Sequence, residues 1–169
     1  MKVDETALWE KSLPELKFSF YDFKTEYVNA NDKAAVLRDL ASKRWEENGL
    51  SFWHIQYEKG DDSEGSKLHI ANNLVNGFQS RMHDKLRPHT LAVFGIYGKE
   101  PKLETFGVLL CRGSELPVPL VKEHPSFEYW KKRKLDVKNK KDLKLIINYF
   151  TTKEGSVEGR EVQNHMLYK

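Results

Sequence analysis

The chain is predicted to adopt an α+β fold: a single domain built on an antiparallel sheet of about five strands flanked by α-helices. Three observations predict it. Two apolar runs, His89 to Tyr97 and Thr105 to Arg112, are joined by Gly98-Lys99-Glu100-Pro101-Lys102, whose Gly and Pro supply the turn chemistry of a hairpin. Both runs are apolar at nearly every position, which suits central strands covered on both faces. Around them, helical and strand periods follow one another without a regular β-α-β alternation, which favours an antiparallel sheet. A length of 169 residues suffices for one domain with one sizeable core.

Residues 1–17 read as an arm or linker end, closed by Pro14, and residues 18–169 as the folded domain. Phe20, Phe23 and Tyr27 recur at about helical spacing and predict a short helix. A second helix is expected from about Asn31, capped by that residue. Val36, Leu37, Leu40, Ala41 and Trp45 form its stripe, and Gly49 lies past its end. From Leu50 to Tyr57 the period changes to two, with Trp53, Ile55 and Tyr57 opposite Phe52, His54 and Gln56, so this is a strand. Lys59 to Ser66 is a polar loop. A third helix is expected from about Asn72, with Leu74, Val75, Phe78, Met82 and Leu86 on one face and Pro88 stopping it. After the hairpin, Gly113 to Pro125 reads as a Pro-containing loop or edge element, and Phe127 to Trp130 as a short helix. The last helix runs from about Lys140 to Phe150 with Leu143, Ile146, Ile147 and Phe150 inward. The tail from Thr151 is polar, yet Val162, Met166, Leu167 and Tyr168 predict that its end docks.

Composition narrows the functional classes. A hydrophobic fraction of 39% with 31% charged residues suits a soluble globular protein, and no apolar run approaches the roughly 20 residues of a membrane helix. Residues 1–11 carry Asp4, Glu5 and Glu10 and do not read as a signal peptide. Cys111 is alone, so no intramolecular disulfide forms, and a reducing, intracellular setting fits best. The basic charge is concentrated. Between Lys131 and Lys144 lie eight cations opposed only by Asp136 and Asp142, so this segment carries +6 in a chain whose net charge is +3. The remainder is therefore acidic.

Several residue types are candidates for sites. Cys111 lies in an apolar strand, where a free Cys behaves as a small buried hydrophobe; a nucleophile would need an adjacent His. The six His residues show no H-x-x-x-H pair and no Cys-x-x-Cys partner, so zinc is not expected. Phe94-Gly95-Ile96-Tyr97-Gly98 lacks the third glycine of a dinucleotide loop and leads into a hairpin. Arg112 and Glu115 flank a turn, either as structural groups, with Arg112 paired or bonding loop carbonyls, or as a partner-facing site. Asp84, Lys85 and Arg87 carry the same two readings. Lys131, Lys132, Arg133, Lys134, Lys140 and Lys141 either line a solvated linker and helix face or meet RNA phosphates, a ribosomal surface or acidic lipid. Phe127, Tyr129 and Trp130 beside them could stack on bases.

One further pattern runs through almost the whole chain, from about Leu13 to Lys169. It comprises Phe23-Lys24-x-x-Tyr27, then Trp45 … Gly49-Leu50-Ser51-Phe52-Trp53 … Tyr57, then Asn73-Leu74 … Gly77 … Asp84-Lys85-Leu86-Arg87. Phe94-Gly95, Phe106-Gly107-Val108, Arg112-Gly113 … Glu115-Leu116 … Pro119-Leu120, Glu128 … Arg133-Lys134-Leu135-Asp136, Tyr149-Phe150 and Tyr168-Lys169 follow. In this order the pieces resemble the C-terminal domain of the gamma subunit of eukaryotic translation elongation factor 1. The chain departs from that pattern at Lys131 and Lys132, where Thr and Trp are usual, near Lys153, where an aromatic is missing, and at His165, which replaces a Gly.

The resemblance implies a non-catalytic scaffold or interaction domain in the complex that reloads elongation factor 1-alpha with GTP, in the cytoplasm. It implies other subunits of that complex as partners, and no cofactor, metal or small-molecule substrate. In the family this domain follows a glutathione-transferase-like domain that does most of the anchoring. That domain is not within these residues, so a C-terminal piece or a short relative is expected. The alternative expectation, from the residues alone, is a basic module that binds RNA, the ribosome or a membrane surface.

Overall fold

The structure, a computed structural model, describes residues 3–169. The predicted hairpin is its centre. Strands β2 (Thr90–Tyr97) and β3 (Glu104–Arg112) pair antiparallel, from Thr90 opposite Cys111 to Tyr97 opposite Glu104. Every residue of β2 is buried. The pleat sends Leu91, Val93, Phe106, Val108 and Leu110 to one side, and Ala92, Phe94, Ile96, Leu109 and Cys111 to the other. Gly107 faces Phe94 across the ladder, and a Cβ there would lie 2.8 Å from the Phe94 ring, so the ring crosses the strand only over a glycine.

Strand β1 (Leu50–Tyr57) pairs with β3, and β4 (Trp130–Leu135) pairs with β1 on its outer side. On the other flank β6 (Arg160–Tyr168) pairs with β2, and the two-residue β5 (Ser156–Val157) pairs with β6. The order is β4-β1-β3-β2-β6-β5, all antiparallel, six strands against about five expected.

Helices cover both faces, as the apolar strands require. On one face α2 (Phe20–Asn29), α3 (Lys33–Lys43) and α6 (Lys140–Thr151) bury Phe23, Tyr27, Leu37, Leu40, Ile146 and Phe150 against Phe52 and Val93. On the other, α4 (Leu68–Ser80), the short α5 (Val118–Val121) and a 3-10 turn at Phe127–Tyr129 bury Ala71, Val75, Phe78, Leu120 and Phe127 around Phe94 and Trp130.

The structure corrects four local expectations. Helix α3 is capped by Asp32, which accepts from the Ala35 amide at 3.0 Å, rather than by Asn31. Helix α4 begins at Leu68 and ends at Ser80, not from Asn72 to Arg87. Its first amide donates to the Glu100 carboxylate at 2.7 Å, a cap supplied by the hairpin turn and thus invisible in the local sequence. Within the segment read as an arm, helix α1 (Glu5–Ser12) is capped by Asp4 and buries Thr6 and Trp9. The basic run 130–135 is a strand rather than linker. Trp130 and Leu135 anchor its ends while four exposed cations lie between, a composition that protects a sheet edge from further pairing.

The tail docks, and it carries one of three imidazoles withdrawn from solvent, His124 buried and His54 and His165 half-buried. His165 Nε2 lies 2.8 Å from the Tyr149 carbonyl, satisfying a group near the end of α6. His124 Nε2 meets the Phe78 carbonyl at 2.9 Å, and His54 packs against the rings of Phe106 and Tyr149, which also meet each other. Burial pushes all three below the ordinary imidazole value. The unfolded chain therefore takes up protons at these sites first. Their contribution to stability is complete above the unfolded value of about 6.5 and is lost as pH falls through the depressed folded values. Denaturant unfolding is expected to show a lower midpoint near pH 5.5 than near pH 7.5, a window above most carboxylate titration. A His54→Asn, His124→Asn, His165→Asn variant that kept the full acid sensitivity would assign it to other groups.

Candidate interaction surfaces

Arg112 ends β3 and points toward the N-terminal segment. Its Nη2 donates to the Pro14 carbonyl at 2.8 Å, and its Nη1 donates to His89 Nδ1 at 3.2 Å. The other ring nitrogen of His89 lies 2.9 Å from the Glu10 carboxylate, and the Trp9 ring meets the same imidazole edge-on at 5.4 Å. Accepting from Arg112 leaves the His89 proton on Nε2, where it donates to Glu10. Gly113 follows with φ +93°, and a Cβ there would press on Leu13 at 3.1 Å. The Arg112-Gly113 pair thus straps the segment Trp9 to Pro14 across the end of the sheet. Glu115 is exposed and, among the described residues, forms no ion pair with Arg112, so the two do not converge on one site. Arg87 is also committed locally: it lies 4.8 Å over the Tyr168 ring and donates to the Lys169 carbonyl oxygen at 2.8 Å.

The basic residues separate into two groups because β4 alternates. Lys132 and Lys134 face the α4 side, with Lys132 over the Phe127 ring at 4.5 Å and Lys134 donating to the Ser114 carbonyl at 2.6 Å. Arg133 faces α6 and pairs with Asp142 at 3.1 Å, while the same carboxylate accepts from the Asp136 amide. Lys131 is exposed beside Gln56, Tyr57 and Asp61. Lys140 and Lys141 occupy the first turn of α6 and are exposed. Phe127 and Trp130 are buried in the core, so of the three nearby aromatics only Tyr129 is exposed.

Arg38 was not singled out by the sequence, because it sits in α3 among mixed charges about one hundred residues from the basic run. The packing of α3 on α6 brings it beside Lys140 and Lys144. No local signal could have found it. Cys111 is fully buried, and burial pushes its thiol up to about 12, against a smaller opposing effect of the Thr90 hydroxyl. Among the described residues no group of three or more His, Cys, Asp or Glu side chains is placed to hold a metal ion, and no helix is long and apolar enough to cross a membrane.

Comparison with known proteins covers most of these elements. Residues 6–115 match the family described as "Elongation factor 1 gamma, conserved domain". The Elongation factor 1-gamma of Drosophila melanogaster is 26% identical over 159 residues, 94% of this chain and 36% of the relative. Those of Mus musculus and Homo sapiens are 28% and 29% identical, over 93% and 82% of this chain. The chain spans about a third of the length of these relatives. With the family pattern matched from α1 through the central hairpin to the loop after Arg112, the chain belongs to the elongation factor 1-gamma conserved-domain family.

Proposed function

We propose that the chain is a non-catalytic interaction domain of the elongation factor 1 guanine-nucleotide-exchange complex, supporting protein synthesis in the cytoplasm through contacts with other subunits of that complex. The observation that carries this reading is the near-complete alignment of the chain with proteins named Elongation factor 1-gamma. The disposition of reactive groups agrees with it. Cys111 is enclosed and its thiol held protonated, and Arg112 and His89 are engaged in strapping the N-terminal segment.

The experiment is reconstitution from purified parts. The 169-residue chain is expected to associate with at least one other subunit of the complex and, by itself, to leave GDP release from elongation factor 1-alpha at its uncatalysed rate. Failure to associate with any subunit would overturn the interaction reading. Acceleration of GDP release by this chain alone would overturn the non-catalytic one.

A further inference from the structure

We infer that the groove between α3 and α6 docks an acidic peptide segment carrying an apolar side chain, an assignment that rests on the interaction-domain reading above. The groove has a volume of about 340 Å³ and is lined by Arg38, Lys140, Leu143, Lys144, Ile147 and Asn148. Its composition divides by depth. Leu143 and Ile147 form the floor as the outer margin of the buried core. Arg38, Lys140 and Lys144 are exposed and form the rim.

The rim lacks a counter-charge. The nearest acidic residues along the two helices are committed elsewhere: Asp142 to Arg133 and the Asp136 amide, Asp39 to Lys43 and Arg44, and Asp32 to the amide that it caps. Arg38, Lys140 and Lys144 take part in no ion pair among the described residues. Lys140 also occupies the first turn of α6, where the helix dipole disfavours a cation and attracts an anion. Three unpaired cations around an apolar floor therefore suit carboxylates that flank one aliphatic or aromatic side chain.

Nucleic acid fits the groove less well. Base stacking needs an aromatic platform, and none of the lining residues is aromatic. Phosphates alone would not distinguish this groove from the exposed cations of β4. The apolar floor makes that distinction.

The test is selection from a random displayed peptide library on the 169-residue chain, followed by anisotropy titration of the enriched peptides. Acidic sequences around a single apolar position are expected. Arg38→Glu with Lys144→Glu should weaken their binding by at least about tenfold, whereas Lys131→Glu with Lys132→Glu on β4 should change it by less than about twofold. Both pairs are exposed, so circular dichroism should report an unchanged fold. Replacing the peptide's apolar residue by Ser should cost as much as the groove variant. Overturning results are enrichment of non-acidic sequences, no enrichment, or equal losses in the two variants. A single-stranded RNA oligomer that outcompetes the peptides, and loses binding on changing Lys131 and Lys132, would place the interaction on β4 as a nucleic-acid surface and overturn the groove. If the groove variant still joins the other subunits as wild type does, the groove assignment falls while the interaction-domain reading stands. If wild type itself fails to join them, that reading falls whatever the peptides do.

Discussion

Replacing Phe94 with alanine is expected to remove about 3–5 kcal/mol of folding stability, the range for emptying a packed aromatic site. The ring is fully buried. It meets Phe78 and Trp130 edge-on, at centroid distances of 5.5 and 6.2 Å, and lies across Gly107 of the neighbouring strand. Those neighbours belong to three separate elements held by the sheet and α4, so they cannot close over the space the ring leaves. Equilibrium unfolding in urea measures the loss. A change below about 1 kcal/mol would mean that the site collapses or was never packed, and the arrangement of β2, β3 and α4 would be wrong.

Phe150→Ala is expected to cost a similar amount, about 3–5 kcal/mol, from the opposite face of the sheet. Phe150 ends the buried stripe of α6. Its ring contacts Tyr27 at 5.8 Å and Phe52 at 6.2 Å, both edge-on. Its carbonyl also accepts the buried Tyr27 hydroxyl at 3.1 Å. Truncating the ring thus loosens α2, α6 and β1 together. The milder Phe94→Leu and Phe150→Leu changes sit in separate cores on the two faces, and their effects should add to within about 0.5 kcal/mol. A coupling well beyond that would mean a single continuous core, against the layered arrangement.

Legibility in the sequence follows the range of the interaction involved. The inward faces of α2 and α6 were readable because Phe20, Phe23 and Tyr27, and Ile146, Ile147 and Phe150, repeat at the helical period within one segment. β1 was readable because it alternates, and the central hairpin because two apolar runs flank a turn. The start of α4 is not legible locally because its cap is Glu100, thirty-two residues away. β4 is not legible because its four middle residues are all cations and carry no period-two signal. It is a strand because β1 offers an open edge and because Trp130 and Leu135 insert at its two ends.

The candidate site divides in the same way. The sequence located the surplus of positive charge between Lys131 and Lys144 but treated it as one surface. Pleating distributes it over two faces, and Arg133 is neutralised by Asp142.

By itself, then, the sequence determined the fold class, the central hairpin, the main helical faces and the resemblance to the elongation factor 1-gamma domain. All of these reside in local period or in the order of residues along the chain. Only the tertiary structure decided that Arg112 straps the N-terminal segment through Pro14 and His89, and that Arg38 joins Lys140 and Lys144 around an apolar floor. Arg112 and Pro14 are 98 positions apart, Arg112 and His89 23, and Arg38 lies about one hundred positions from Lys140 and Lys144. Such proximity arises from sheet pairing and helix packing, and no local pattern of residue types encodes it.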